Sequence, residues 1–306
     1  TRGALDVMRQ GAEQVYGVAA SSQARLDLPL VLSGLALGLL AFPLLFVALD
    51  NLADRGWAAA RAGGLLLVAY GAWMVSSVQL APHTPALVWA TVAALAVVSG
   101  AVAWRRRDEL RVWLAANRTL VLAEEAVFLA LFALFLAVRV GNPDLWHPFF
   151  GGEKPMDLAY LNATLRTVSF PPYGPWFAGG EMNYYYFGFV LVGVLIELTG
   201  IPPDLAYNLA LPSLAAMTGL GVAGVTYALA RYLGRDGRVA GSCAALSAVL
   251  AVVAGNLFQV RFLVADGLAA LSTSAFRSHL PFVETVVRTI DGAFALARGA
   301  ATLPIS

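Results

Sequence analysis

The chain has 306 residues, of which 59% are hydrophobic and only 13% are charged. This composition excludes a disordered chain and most soluble proteins, which carry more charge and fewer long apolar stretches. The formal net charge of +1 provides no general basic field, so we expect no nucleic-acid partner. Apolar stretches long enough to cross a bilayer recur along the chain and predict an all-α, multi-pass protein of the cell membrane.

The predicted membrane helices begin close to the N-terminus. Residues 1–27 mix polar and apolar side chains and are expected to form an interfacial segment. A template of about 20 residues per crossing then predicts about seven spans. These spans are 28–49, 62–80, 86–104, 120–138, 183–200, 206–230 and 239–257. After residue 258 charges interrupt the apolar residues every few positions, which predicts helices at the membrane interface or packed on the bundle.

The placement of arginine predicts which connections face the cytoplasm. Residues 105–118, between the third and fourth spans, read RRRDELRVWLAANR, with five arginines against two acids. The positive-inside rule places this connection in the cytoplasm, and alternation places the connection 139–182 outside. Counting onward also places the arginines of RYLGRDGR, at 231–238, outside. Either the rule is weak there or one predicted span is wrong.

The connection 139–182 is the segment most suited to chemistry, because long connections in compact domains tend to be functional. The pair Gly151 and Gly152 interrupts regular structure, and Pro155 suits the first turn of a helix. A short helix is therefore predicted at about 155–168, close to the membrane surface.

Two carboxylates lie at the start of this predicted helix. Glu153 just precedes the helix, and Asp157 lies in its first turn, a few ångströms away. Two acids so placed can deprotonate a hydroxyl or hold a divalent cation. An acid in the first turn also complements the helix dipole, and the spacing alone favours that structural role.

An aromatic segment follows the short helix. The stretch SFPPYGPWFAGG at 169–180 predicts a turn-rich ribbon, and its aromatic rings fit a belt at headgroup depth. Tyr184, Tyr185 and Tyr186 come next. Successive helical residues point about 100° apart, so at least one of the three tyrosines should face the bundle.

Three glutamates fall inside predicted spans. Glu124 and Glu125 lie near the start of the fourth span, and Glu197 lies near the end of the fifth. Intramembrane charges often have a function. Because all three are close to span ends, however, we expect them to reach the interface by snorkelling.

Four stretches carry a resemblance to a known family. They are DRGWAAARAGGLLLVAY at 54–70, EEAVFLALFALFLAVRVGNPDLW at 124–146, GGEKPMDLAYLNATLRTVSFPPYGPWFAGGEMNYYYFGF at 151–189 and LTGIPPDLAYNLALPSLAAMTGLG at 198–221. Through these stretches, and above all through EKPMD and NYYYFG, the chain resembles the DUF2298 family, also called the YYY membrane proteins. That family is similar to the GT-C superfamily of glycosyltransferases, which use a polyprenyl-phosphate sugar and carry an acid in their first extracytoplasmic loop.

The resemblance implies a role for each candidate residue. It implies that residues 1–118 form an interfacial segment and a three-span region. It also implies that residues 119–306 form a GT-C-like core, truncated at the C-terminus, with 139–182 as its catalytic loop. Asp157 matches the loop acid and would act as general base, with Glu153 assisting, or as the ligand of a divalent cation. The groups expected to contact the carrier phosphate and sugar are Lys154, Arg166, Tyr184, Tyr185 and Tyr186.

Two departures from the pattern leave a second hypothesis open. Family members continue beyond the point where this chain ends at LPIS, and Asp157 is followed by Leu158 instead of a second acid. The first hypothesis is a glycosyltransferase with a polyprenyl-phosphate sugar donor, and the alternative is a non-catalytic membrane subunit or scaffold that binds lipid or a partner subunit. A transporter ranks third, because mid-span polar groups and an inverted repeat are not evident.

Overall fold

The computed structural model describes residues 28–141, 143, 145, 153–254, 284, 287, 288, 290 and 291. The predicted interfacial segment 1–27 and most of the region after residue 258 therefore lie outside the described residues. The chain divides into two compact units, residues 1–247 and 248–306. The contacts discussed below lie within the first unit.

Eight helices are present within the described residues, which confirms the all-α class. They are α1 (Leu28–Ala48), α2 (Ala60–Ser77), α3 (Pro85–Arg105), α4 (Arg107–Gly141), α5 (Lys154–Arg166), α6 (Phe187–Thr199), α7 (Pro203–Tyr232) and α8 (Gly237–Val252). Local sequence explains several ends: Thr84 caps α3 by accepting a hydrogen bond from the Leu87 amide, and Gly200 ends α6 with a positive φ of 71°.

Four of these helices are long and apolar enough to cross a membrane. They are Pro29–Ala48, Pro85–Arg105, Arg107–Val140 and Pro203–Tyr232. The prediction of about seven spans is thus supported for four of them. The predicted spans 183–200 and 239–257 correspond to α6 and α8, which have only 13 and 16 residues, whereas a full crossing takes about 20.

The two local predictions for the connection after α4 are confirmed. Helix α5 begins at Lys154 and ends at Arg166, with Pro155 in its first turn. The segment that follows α5 is turn-rich: the Gly174 amide donates to the Gly180 carbonyl at 2.8 Å, and a single β-bridge joins Tyr173 to Glu181. The proline and glycine residues of this segment disfavour both a helix and a continuous strand.

Helix α6 does not cross the bundle, because both of its ends contact the same region. At its beginning the Tyr186 hydroxyl accepts a hydrogen bond from Trp73, in the last turn of α2. Near its end the Oε1 atom of Glu197 lies 3.3 Å from Nε2 of His83, and His83 belongs to the connection that follows α2. The predicted span 183–200 is therefore wrong.

The orientation of α7 follows from its packing against α4. The two helices are antiparallel, since Arg139 near the end of α4 contacts Asn208 near the start of α7. At their other ends, Glu124 and Tyr227 line a common cavity. The arginines of 105–118 and those of 231–238 consequently lie at the same end of the bundle, which we call the arginine-rich end. The conflict with the positive-inside rule arises because 183–200 is counted as a span. Without it, two spans separate the two arginine-rich connections, and both fall on the same side of the membrane.

Cysteine labelling tests this topology. In a Cys243→Ala background, an impermeant maleimide is expected to label Arg107→Cys and Arg235→Cys from the same face of the membrane, because both positions are exposed at the arginine-rich end. Tyr185→Cys, which is exposed and precedes α6, should be labelled from the opposite face only. Labelling of positions 235 and 185 from one face would contradict the assignment of α6.

A close crossing of α1 and α2 positions a buried charge at the arginine-rich end. A Cβ atom on Gly64 would lie only 2.1 Å from the carbonyl oxygen of Leu37, so only glycine permits this approach. The crossing continues into a buried aromatic cluster around Phe42 and Phe46. Arg61 in α2 lies beside this cluster and is itself buried.

Candidate functional site

Helix α5 presents Asp157 at its first turn. Pro155 lies at the start of the helix, and the Asp157 amide donates to the Glu153 carbonyl at 2.9 Å. Glu153 occupies the position just before the helix, where its side chain makes no capping hydrogen bond. Both acids therefore lie at one end of α5, as the sequence predicts, and Glu153 is exposed.

Helix α7 supplies the groups that contact the Asp157 end of the bundle. The Tyr207 hydroxyl donates a hydrogen bond to Asp157 Oδ2 at 2.9 Å. The next residue, Asn208, accepts a hydrogen bond from Arg139 Nε at 2.5 Å and donates one to the Pro143 carbonyl at 3.2 Å. Two consecutive residues of α7 thus connect the carboxylate on α5 with the guanidinium at the end of α4. A carboxylate, a phenol and a cation meet at this end.

The two candidate phosphate-binding cations occupy opposite ends of α5. Lys154 is the first residue of the helix and is half-buried in the same turn as Asp157. Arg166 is the last residue and is exposed. Twelve helical rises separate them, or about 18 Å. The structure therefore brings Lys154, and not Arg166, close to the carboxylate.

Tyr186 is the tyrosine that turns inward. Its hydroxyl accepts a hydrogen bond from Trp73 at 3.1 Å, and its ring stacks on Phe170 with centroids 5.8 Å apart. The prediction that at least one tyrosine faces the bundle is confirmed. The geometric reason differs, because the helix begins only at Phe187 and the tyrosines precede it.

Tyr184 and Tyr185 remain on the surface beside α5. Tyr184 is 46% exposed and Tyr185 is 88% exposed. The Tyr184 ring lies 5.6 Å from the ring of Tyr160, which is one turn after Asp157 on α5. Tyr184 is therefore the tyrosine whose accessible ring face lies nearest to the helix that carries the acid.

A resident metal ion is not matched by the side chains seen at this end. Among the residues that the structure describes, no group of three or more His, Cys, Asp or Glu side chains is arranged to hold a metal ion. Asp157 is instead hydrogen-bonded to a phenol. Asp157 is therefore not assigned as a metal ligand.

Sequence reasoning missed Tyr207, Asn208 and Arg139 as members of this site. One signal could have identified Tyr207: the hexapeptide pattern Pro-x-Asp-Leu-Ala-Tyr occurs twice, as PMDLAY at 155–160 and PPDLAY at 202–207. The two copies open α5 and α7. Asp204 in the second copy is therefore the counterpart of Asp157, in the first turn of its own helix.

The expectation that the intramembrane glutamates snorkel is wrong for Glu125. Helix α4 begins at Arg107 and not at 120, so this residue lies well inside the helix. Its carboxylate accepts hydrogen bonds from both terminal nitrogens of Arg61 and from Trp57 Nε1. The Arg61 guanidinium also lies 4.2 Å from the ring centroid of Phe128.

The side chains of the other two glutamates are more deeply buried than that of Glu125. Glu197 contacts His83, and both side chains are shielded from solvent. Glu124 is only 6% exposed, and neither of its carboxylate oxygens has a hydrogen-bond partner among the described residues. Both side chains are shielded because they point into the protein, Glu197 towards His83 and Glu124 towards a cavity between helices.

Comparison with known proteins finds a family model that covers most of the chain. A family model described as an uncharacterized membrane protein, DUF2298, matches residues 67–285. No curated protein and no solved structure matches the chain. The matched range contains Arg139, Asp157 and Tyr207. Together with the four candidate transmembrane helices, the match identifies a multi-pass integral membrane protein.

Proposed function

The chain belongs to the DUF2298 family of uncharacterized membrane proteins, and we propose that it acts as a GT-C-like glycosyltransferase. It would move a sugar from a polyprenyl-phosphate carrier to an acceptor hydroxyl. The observation that carries the proposal is the Asp157 carboxylate, held by Tyr207 at the start of a short helix beside apolar helices. If the arginine-rich end is cytoplasmic, as the positive-inside rule predicts, the Asp157 end faces the extracytoplasmic side.

In the proposed reaction Asp157 is the general base. The acceptor oxygen attacks the anomeric carbon, and a new carbon–oxygen bond forms. The bond between that carbon and the phosphate oxygen breaks, so polyprenyl phosphate leaves with the electron pair. Asp157 takes the hydroxyl proton. The hydrogen bond from Tyr207 orients the carboxylate and leaves its second oxygen available for the acceptor.

The leaving phosphate requires positive charge at the same end. Lys154 lies in the same helical turn as Asp157. Arg139 is hydrogen-bonded to Asn208, the residue after the Tyr207 that contacts Asp157. A cation close to a phosphate contributes most where water is scarce. Tyr184 offers a ring face on which a sugar can stack. Glu153, which is exposed just before α5, is the assisting acid, and Arg166 is too distant to share this role.

A non-catalytic membrane subunit is the second candidate. The hydrogen bond between Tyr207 and Asp157 also ties α5 to α7, which is what a purely structural acid would do. The ribbon after α5 exposes Trp176 and Phe177, which suit contact with lipid or a partner subunit. This candidate predicts no polyprenyl-phosphate site at Lys154.

Binding of undecaprenyl phosphate distinguishes the two candidates. We expect the purified protein to bind this lipid saturably in native mass spectrometry. Lys154→Met should weaken binding about tenfold, equivalent to about 1.4 kcal/mol, because a charge beside the phosphate is lost. Arg166→Met is the matched control on the same helix and should stay within about twofold of the unmodified protein.

Two results would count against the glycosyltransferase. One is the absence of saturable binding by the unmodified protein. The other is equal weakening by the two substitutions, which would indicate a general attraction to anionic lipid and favour the non-catalytic subunit.

A further inference from the structure

A cavity of about 380 Å³ lies at the arginine-rich end, away from Asp157. It is bounded by α4, by the last turns of α7 and by the beginning of α8. Pockets of this size accommodate small organic ligands. The proposed transfer reaction makes no use of it.

The cavity is lined in part by a glutamate whose carboxylate lacks hydrogen-bond partners among the described residues. Glu124 lines the cavity, is more than nine-tenths buried, and has no hydrogen-bond partner for either carboxylate oxygen among the described residues. A buried carboxylate without partners is costly, because it loses its hydration and gains nothing in return. Such a group inside a cavity indicates a ligand that donates hydrogen bonds or carries positive charge.

Neighbouring groups do not supply that partner. Arg61 and Trp57 both donate to Glu125, the adjacent residue on α4. The nearby acid Asp54 accepts hydrogen bonds from the amides of Gly56 and Ala58. The protein thus satisfies two carboxylates in this region with its own donors and leaves the third facing the cavity.

The lining of the cavity defines the class of ligand. Most of it is apolar or small, formed by leucine, valine, alanine and glycine residues, and Asn117, Thr119 and the Tyr227 phenol also lie there. A divalent metal ion requires several oxygen ligands, and the described residues contain no group of three acidic, histidine or cysteine side chains suited to one. An organic cation with a small apolar body matches both the carboxylate and the walls.

We propose that this cavity is a binding site for a primary ammonium group, held by the carboxylate of Glu124. The ammonium has two potential sources: the headgroup of an aminophospholipid or a free small amine. Both present the same charge and hydrogen-bond donors to Glu124. The site is independent of the proposed sugar transfer.

Benzylamine is a suitable probe, because it combines a primary ammonium with a small apolar ring. The protein is placed in nanodiscs of phosphatidylcholine, which has no primary amine, and binding is measured by calorimetry. Saturable binding is expected, and Glu124→Gln should weaken it at least tenfold. Benzyl alcohol, which has the same ring without the charge, should bind at least tenfold more weakly than benzylamine.

Matched variants separate the site from general effects on folding. Gly241 lines the cavity, and a Cβ atom there would meet nothing within 4 Å, so Gly241→Leu fills the cavity and leaves Glu124 in place. This variant should weaken binding at least tenfold. Gly221→Leu is the control, because Gly221 has the same free space but does not line the cavity. Glu109→Gln is the control for loss of a carboxylate, and both controls should stay within about twofold.

The two sources are distinguished by adding phosphatidylethanolamine to the nanodiscs. Competition with benzylamine assigns the site to the lipid headgroup, and unchanged benzylamine binding assigns it to a soluble amine. Failure of the unmodified protein to bind benzylamine would overturn the proposal. So would undiminished binding to the folded Glu124→Gln and Gly241→Leu variants.

Discussion

Asp157→Asn is expected to lower the rate of sugar transfer by about 100-fold or more. A general base contributes roughly 10²- to 10⁴-fold to a rate, and asparagine keeps the shape of the side chain without its ability to take a proton. The amide oxygen of asparagine can still accept the hydrogen bond from Tyr207, so α5 should remain in place. The measurement is the release of labelled sugar from a polyprenyl-phosphate donor in membranes that contain the protein.

The second copy of the hexapeptide provides a matched control for this substitution. Asp204 occupies the same position in the first turn of α7 as Asp157 does in α5. A role limited to the helix dipole predicts equal and small effects of Asp157→Asn and Asp204→Asn. The proposed base predicts a large loss only at Asp157, and rates within about twofold of each other for the two variants would refute it.

Tyr207→Phe separates positioning of the carboxylate from proton transfer. This variant removes the hydroxyl that donates to Asp157 but leaves the carboxylate. A hydrogen bond to a charged group contributes about 1.5–3 kcal/mol. The lower end of this range corresponds to a loss of about tenfold in transfer rate, which we expect for Tyr207→Phe because the carboxylate that takes the proton is still present. Tyr160→Phe, the equivalent change in the first hexapeptide, is the control.

The second large effect concerns stability at the arginine-rich end. Glu125→Gln is expected to lower the free energy of unfolding by about 3–5 kcal/mol, because it leaves the buried guanidinium of Arg61 without its counter-charge. The side chains of Arg61 and Glu125 are only 8% and 23% exposed. Chemical unfolding in detergent micelles, followed by tryptophan fluorescence, measures the change.

Glu109→Gln is the matched control for this effect. Glu109 also pairs with arginine, through Arg55 and Arg106, but its side chain is 40% exposed. Exposed ion pairs contribute about 1 kcal/mol or less. Similar losses for the two glutamine variants would contradict the structural role assigned to the pair of Arg61 and Glu125.

Local sequence patterns predict the positions of several helices and turns correctly, but they do not predict how many helices cross the membrane. Pro155 in α5 and the proline and glycine residues of the ribbon influence the backbone conformation only within a few residues of their own positions. Both elements could therefore be predicted from the local sequence. The run 183–200 is apolar enough for a span, but its first residues are the tyrosines. The contact of Tyr186 with Trp73 and Phe170 holds them outside the helix. That contact joins residues far apart in the chain, and no local pattern contains it.

The site shows the same division between local and distant information. The spacing of Glu153 and Asp157 predicts that both acids lie at the start of one helix, and the resemblance to DUF2298 adds Lys154 as their neighbour. Tyr207 and Arg139 join them only through packing of α7 against α5 and α4, which the spacing of residues does not reveal. The role of Glu125 was missed for the same reason, since its partner Arg61 lies on another helix.

Photo-crosslinking tests most directly whether the Asp157 end binds the donor. A polyprenyl-phosphate analogue with a diazirine beside the phosphate is irradiated with the protein in nanodiscs, and the modified peptides are mapped by mass spectrometry. The proposed function predicts modification in α5 and in the first turns of α7, with competition by unlabelled carrier. Modification confined to the arginine-rich end, or insensitive to competitor, would contradict it.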